Sequence, residues 1–146
     1  MKTLLVPLDF STATERVLQT AIMLAKALAA RLVVLHVLQP ITAMGDPMMP
    51  DLTQIPSLQK AAETNARTQL ANAYAQVAAQ GVAIEQEFHD GPASTVILER
   101  ARALSADLVV MGSHGHTALY DLLLGSTSHT VLKNPPCPVV IVPSKK

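Results

Sequence analysis

Five short, mainly apolar runs alternate with stretches of helical spacing, and this alternation limits the fold more than any other feature of the 146-residue chain. The runs predicted as strands are residues 3–9, 31–38, 82–88, 107–112 and 138–142. Nearly continuous apolar runs are typical of strands buried on both faces of a parallel sheet. Strands that alternate with helices pair in parallel through right-handed crossovers. The chain is therefore predicted to be an α/β protein, a three-layer α/β/α sandwich around a parallel sheet.

The predicted helices cover residues 11–30, 57–80, 94–105 and 126–133. Ser11 or Thr12 is expected to cap the first helix, because Thr12-x-x-Glu15 fits a capping box. Gly81 suits the C-terminal cap of the second helix. Apolar stripes predict the buried faces: Val17, Ala21, Leu24, Ala25 and Leu28 in the first helix, and Leu58, Ala62, Ala66, Leu70, Ala73 and Val77 in the second. The third strand alternates instead, with Glu85 and Glu87 on one side, which predicts an edge strand.

Residues 39–56 break this pattern with four prolines, a glycine and three of the six methionines. Helix and strand are both disfavoured in such a segment. A loop of this length within a compact domain is functional or mobile. Two interpretations stay open: the loop covers a ligand pocket or contacts a partner subunit, or it is a disordered insertion.

A glycine pattern follows the fourth apolar run. The run Leu108–Met111 ends at Gly112, Gly115 follows, and nine residues then precede Gly125, Ser126 and Thr127. Glycine after a strand lets backbone amides approach a ligand. Free N–H groups and the positive dipole end at a helix start favour an anion. The pattern fits a phosphate cradle made of backbone, although ordinary turn and helix-cap chemistry explains these residues equally well.

Composition narrows the possible functions. The length suggests one domain, residues 1–146, and 49% hydrophobic content is ample for a buried core. Lys plus Arg equals Asp plus Glu at 11 each, so no general attraction to nucleic acid or acidic membranes is expected. No apolar run approaches 18 residues, and Met1-Lys2-Thr3 leads straight into a strand without the features of a signal peptide. We therefore expect a cytoplasmic protein with no membrane span.

The reactive side chains favour binding over catalysis. None of the five histidines forms an i, i+4 pair on a predicted helix, so no zinc cluster is predicted. The single cysteine, Cys137, excludes an internal disulfide and is expected to be a small buried side chain. No Lys or Arg lies between Arg102 and Lys133, although phosphoryl transfer normally needs cationic or metal stabilisation.

Three segments together resemble one known family. The spacing Gly112-x-x-Gly115, nine residues, Gly125-Ser126 is similar to the nucleotide-binding pattern of the universal stress protein family. Residues 6–9, Val-Pro-Leu-Asp, and residues 136–142, Pro-Cys-Pro-Val-Val-Ile-Val, resemble the two ends of that family. The resemblance covers essentially the whole chain and implies a Rossmann-like sheet with five strands in the order 3-2-1-4-5. Ligands bind such sheets where the topology switches, here beside Asp9 and Gly112.

The resemblance also implies a ligand, ATP or a related adenine nucleotide such as AMP, with Mg²⁺ as a candidate companion. It assigns Pro7, Val37 and Met111 to the adenine and ribose, and Asp9 to the adenosine or to nucleotide-bound Mg²⁺. It assigns the pattern residues Gly112, Gly115, Gly125 and Ser126 to the phosphates. The hydroxyl of Thr127 at the helix start and the side chain of His114 near the phosphate loop are expected to belong to the same site. The alternative for Asp9 is an anion that helps to cap the first helix. Many family members have Arg where His116 stands, so a phosphate contact is not implied for His116.

The fifth strand points to a homodimer through residues 138–143. Val139-Val140-Ile141-Val142 lies at one edge in the implied order and has no internal charge. Such an edge invites pairing unless it is covered. Antiparallel pairing with the same strand of a second copy would cover it, as the resemblance also implies. The alternative is a monomer whose tail or a helix covers the edge.

These features lead to one function and two alternatives. We expect a regulatory module for the stress response that binds an adenine nucleotide and has a protein partner of unknown identity. The alternatives are a weak ATPase or nucleotide-transferring enzyme, and a family member that has lost nucleotide binding.

Overall fold

In the computed structural model, which describes residues 1–41, 52–113 and 124–144, five strands form one parallel sheet. The strands are β1 (Lys2–Pro7), β2 (Ala30–Leu38), β3 (Ile84–Asp90), β4 (Leu108–Gly112) and β5 (Val139–Val142). Their order is β3-β2-β1-β4-β5, which confirms the predicted fold and strand order.

Helices cover both faces of this sheet. They are α1 (Thr14–Leu28), α2 (Ile55–Ala78), α3 (Ala93–Ala103) and α4 (Ser126–Lys133), and a single 3₁₀ turn, Leu52–Gln54, leads into α2. The core around α1 and α2 is separate from the core around α3 and α4. Among the described residues, no helix has both the length and the apolar character needed to cross a membrane.

Alternate residues of the central strand enter the two cores. Leu4 and Val6 pack with α1 and α2, whereas Leu5 packs with α3 and α4, and all three are fully buried. Successive side chains of a strand point to opposite faces, so a strand covered on both sides needs apolar residues at every position. This is the physical reason for the unbroken apolar run in β1.

The start of α1 differs from the prediction. Its N-cap is Ala13, which makes no side-chain cap bond, so the predicted cap at Ser11 or Thr12 is wrong. Phe10 adopts a left-handed backbone conformation, with a φ of 57°, after β1 has ended at Pro7. The chain therefore makes an extra turn before the helix, and Ser11 is used within that turn.

Several other boundaries also shift. The predicted loop 39–56 is wrong at its end, because residues 52–56 are helical and Pro56 occupies the first turn, where its missing N–H is tolerated. Residues 42–51 of that loop lie outside the described residues. The edge strand β3 begins and ends two residues later than predicted, in a register that runs from Leu32↔Ile84 to Leu38↔Asp90.

The predicted C-cap of α2 and parts of the predicted apolar stripes are wrong. The C-cap of α2 is Ala79, and Gly81 takes a positive φ of 73° in the turn beyond it. Leu28 and Leu58 are exposed rather than buried. Leu18, which was not in the predicted stripe, is buried instead. The two exposed residues, Leu28 and Leu58, lie near the ends of their helices.

Candidate functional site

A cavity of about 370 Å³ opens at the carboxyl ends of β1, β2 and β4. The chain leaves β1 towards β2 on one side, and β4 lies on its other side, so the cavity is at the topological switch point of the sheet. Eight of the ten predicted site residues line it: Pro7, Asp9, Val37, Met111, Gly112, Gly125, Ser126 and Thr127. The other two, His114 and Gly115, lie outside the described residues.

One side of the cavity is apolar. Pro7 ends β1, Val37 is near the end of β2, and Met111 lies in β4, so each strand contributes one predicted apolar side chain. Leu35 and Ile97 also line the cavity and are buried, although the sequence analysis did not select them. The period of two along β2 could have identified Leu35. Ile97 is brought in from α3 by tertiary packing, for which the sequence carries no local signal.

The first turn of α4 is fixed against the end of β4 by two hydrogen bonds. The Gly125 N–H donates to the Ser113 carbonyl oxygen at 2.8 Å, and the Ser128 hydroxyl donates to the Gly112 carbonyl oxygen at 2.8 Å. The N–H groups of the first helical residues have no partner within a helix. At this helix start they belong to cavity-lining residues, so the arrangement offers amide donors and a positive dipole end to an anion.

Ser128 was missed by the sequence analysis. It is buried, lines the cavity and supplies one of those two anchoring bonds. The available signal was the run of hydroxyl residues after Gly125, of which only Ser126 and Thr127 were selected. Because the Ser128 hydroxyl bonds to the β4 backbone, its role is to position the start of α4.

Asp9 lies in a loop that β2 holds in place. The Leu8 N–H donates to the Leu35 carbonyl oxygen at 2.8 Å, and His36 Nδ1 lies 2.7 Å from the Leu8 carbonyl oxygen. The ring of His36 also stacks on Phe10, with 4.7 Å between the ring centroids. Next to these anchors, Asp9 Oδ1 accepts a hydrogen bond from the Ser11 N–H at 3.0 Å, which closes an exposed turn. The predicted site acid is thereby kept at the cavity rim.

The charge at the cavity is sparse. Among the described lining residues, Asp9 is the only charged side chain, and none is Lys or Arg. No group of three or more His, Cys, Asp or Glu side chains in the described ranges is arranged to hold a metal ion. The described lining therefore offers an anion backbone amides and hydroxyls rather than cationic side chains.

Arg100 is paired with an acidic side chain. Arg100 of α3 donates two hydrogen bonds of 2.7 Å to Glu87 of β3, and His89 Nε2 lies 3.1 Å from the same carboxylate. Burial raises the pKa of Glu87, but hydrogen bonds and charge from Arg100 and His89 outweigh it and leave that pKa below its usual value. Arg100 is thus used to fasten α3 to β3.

Comparisons with known proteins agree with this fold. The model of the universal stress protein family matches residues 1–143. Universal stress protein MJ0531 of Methanocaldococcus jannaschii is 32% identical over 145 residues, which cover 99% of this chain and 84% of the relative. The structure of universal stress protein UspA from Lactobacillus plantarum superimposes with a TM-score of 0.82 at 24% identity, covering 97% of both chains. A universal stress protein in complex with cAMP superimposes with a TM-score of 0.68 at 25% identity, covering 99% of this chain and 98% of that one.

Proposed function

The chain belongs to the universal stress protein family, and from that premise we propose that it is a cytoplasmic stress-response protein that binds ATP or a related adenine nucleotide. The proposal rests on one main observation: the described residues of the glycine pattern and a set of apolar side chains line the same cavity. A family member of 25% identity whose structure is described as a complex with cAMP adds support.

The cavity suits the two halves of a nucleotide. The phosphates would lie at Gly112 and the α4 start, where Gly125, Ser126 and Thr127 supply amides and hydroxyls. The base and ribose would lie against Pro7, Val37 and Met111. Because β1 separates β2 from β4, Val37 at the base end and Gly112 at the phosphate end are about 10 Å apart, two strand spacings. This separation matches the extent of a nucleoside with its first phosphate.

Asp9 and the residues beyond the described ranges complete the proposed site. Asp9 would accept hydrogen bonds from the ribose hydroxyls or hold Mg²⁺ bound to the phosphates. His114 and Gly115 would join the phosphate end, as the family pattern implies. The protein itself supplies no described carboxylate cluster for a metal, so Mg²⁺ would arrive with the nucleotide.

We propose regulation by binding rather than rapid catalysis. The described lining has no cationic side chain to stabilise a transferring phosphoryl group. The alternative of a weak ATPase or nucleotide-transferring enzyme is therefore disfavoured. The alternative of a relative without nucleotide binding is disfavoured by the intact glycine pattern at residues 112–126.

We further propose that the regulatory module is a homodimer through residues 138–143 and that it signals to a protein partner. β5 pairs with β4 and ends the order of the sheet, so its other edge faces no strand among the described residues. Val139, Val140 and Ile141 are only partly buried. A second β5, antiparallel about a two-fold axis, would cover this apolar edge.

Mass spectrometry of the gently purified protein tests the nucleotide proposal most directly. A co-purified adenine nucleotide, released by denaturation and present in proportion to the protein, is the expected result. Titration calorimetry with ATP, AMP and cAMP, each with and without Mg²⁺, then ranks the ligands. Absence of co-purified nucleotide together with no binding heat at millimolar ligand would contradict the proposal.

A further inference from the structure

One buried hydroxyl beside the cavity has no hydrogen-bond partner. Thr14, the first residue of α1, lines the cavity and is partly exposed, but its Oγ1 atom is buried. Among the described residues this atom is the only buried side-chain nitrogen or oxygen without a partner. An unpaired buried hydroxyl costs free energy, because nothing replaces the water that it has given up. The Thr14 hydroxyl therefore requires an explanation at its own position.

No side chain of the surrounding turn caps the start of α1. The N-cap residue is Ala13, which has no side-chain acceptor. The Ser11 hydroxyl accepts the Ala13 N–H at 3.4 Å, and the Ser11 carbonyl oxygen accepts the Thr14 N–H at 3.1 Å. Glu15 is the acidic residue of the first turn, but its carboxylate accepts hydrogen bonds of 2.9 Å from Gln76 of α2. The positive dipole end of α1 is thus left for an anion outside this turn.

Two helix starts border the same cavity from opposite layers. Ala13, Thr14 and Val17 belong to the start of α1, which packs in the core shared with α2. The hydroxyl residues after Gly125 belong to the start of α4, whose Val131 lies in the other core. A ligand with one phosphate has an anionic group for only one of these helix starts. A ligand with a chain of phosphates has anionic groups for both.

We infer that Thr14 binds a phosphate beyond the first phosphate of the nucleotide, and this inference rests on the proposed nucleotide site. The first phosphate lies at Gly112 and the start of α4, and the following phosphates extend towards the start of α1. There the Thr14 hydroxyl donates a hydrogen bond to a phosphate oxygen. A rotation of about 120° about the Cα–Cβ bond exchanges the hydroxyl and the methyl group of threonine and presents the hydroxyl to the cavity. The phosphate supplies the partner that this hydroxyl lacks in the ligand-free protein.

The test compares ATP with AMP, because these two ligands differ only in the phosphates beyond the first. Both are titrated calorimetrically in the presence of Mg²⁺, since the carboxylate of Asp9 in the cavity lining repels a polyphosphate without a counterion. Wild type is expected to bind ATP more tightly than AMP. In Thr14→Val the affinity for ATP should fall about tenfold, the effect of one hydrogen bond to a charged group, while the affinity for AMP stays the same.

The stability of the ligand-free protein provides a second measurement. Thr14→Val removes the unpaired hydroxyl and keeps a branched side chain of similar shape. Its Tm without ligand should therefore equal or exceed that of wild type, although its affinity for ATP is lower. A residue with a merely structural role would lose stability when it is replaced.

Two further variants make the result specific. Thr14→Ser keeps a hydroxyl and should retain the preference of wild type for ATP. Thr20→Val is the matched control on the same helix, because Thr20 lies outside the cavity lining and its hydroxyl donates to the Arg16 carbonyl oxygen at 2.8 Å. This control should leave both affinities unchanged, and its Tm should not rise, because a formed hydrogen bond is lost.

The outcomes separate the inference from the proposal beneath it. Unchanged ATP affinity in Thr14→Val, or equal losses for ATP and AMP, would overturn the role of Thr14 and leave nucleotide binding intact. A lower Tm of ligand-free Thr14→Val would also overturn it, since the hydroxyl would then have a partner in the free protein. Equal binding of ATP and AMP by wild type would exclude a contact beyond the first phosphate. If wild type binds neither nucleotide, the proposed function itself is wrong.

Discussion

Replacing Gly125 by valine is expected to abolish nucleotide binding while leaving the fold intact. Gly125 lines the cavity immediately before α4, so an added side chain would occupy the space assigned to phosphate. Its backbone angles, φ −62° and ψ 161°, lie in the extended region that L residues adopt freely. The need for glycine here is therefore close approach of a ligand rather than backbone strain.

The size of each effect follows from the structure. The two backbone hydrogen bonds of Gly125, to Ser113 and from His129, survive the substitution. Exchanging glycine for valine at an N-cap costs at most about 1 kcal/mol, which lowers Tm by about 2–4 °C in a domain of this size. ATP at about 100 times Kd stabilises wild type by roughly 2.7 kcal/mol, a rise in Tm of about 5–11 °C. This rise should be absent in the variant.

Differential scanning calorimetry at one protein concentration measures both effects, and it suits a protein without tryptophan. Gly81→Ala provides the opposite control, because Gly81 has a φ of 73° and lies outside the cavity lining. Forcing alanine into that conformation costs about 1–2 kcal/mol, so its Tm should fall while the ATP-induced rise remains. Equal rises in wild type and Gly125→Val would refute the assignment of the phosphate end.

Three other changes test separate parts of the molecule. Asp9→Ala should weaken ATP binding by about 1–3 kcal/mol in titration calorimetry, through loss of a charged hydrogen-bond acceptor, and unchanged affinity would exclude a ligand role. The lowered pKa of Glu87 adds stability above the ordinary glutamate value of 4.5, and this stability is lost as pH falls through the folded-state pKa. Arg100→Met should therefore flatten the acid dependence of Tm, whereas an unaltered profile would show that the pair does not control it. Val140→Lys or Ile141→Lys should yield monomer or aggregate in sedimentation, and a wild-type monomer at micromolar concentration would contradict the dimer.

The fold was accessible from sequence because its signals are local and repeated. Apolar runs identify strands such as β1 and β4, and the helices between them require parallel pairing. The strand order was predicted from the family resemblance, because no feature within a strand indicates which strand it pairs with. The cap of α1 was missed because the backbone of Phe10 turns left-handed, a choice stabilised by stacking on His36 from β2.

The described part of the candidate site was predictable where a motif marked it. Gly125 and Ser126 belong to a spaced pattern, and the structure brings them to the cavity with Asp9. Ile97 and Gln39 carry no such mark. They reach the same cavity only because α3 packs on β2 and because β2 ends where it does. Such residues depend on contacts between distant segments, which one sequence does not encode at any local position.

The central place of β1 has a consequence for synthesis of the chain. β1 leaves the ribosome before the other four strands of this sheet, yet its Leu4 pairs with Leu108 of β4. Until β4 emerges, the nascent sheet of β1, β2 and β3 has an unpaired apolar edge, the kind of surface that chaperones shield. That open edge also borders the unfinished half of the cavity, so a ligand of this cavity meets a complete pocket only after translation has passed α4.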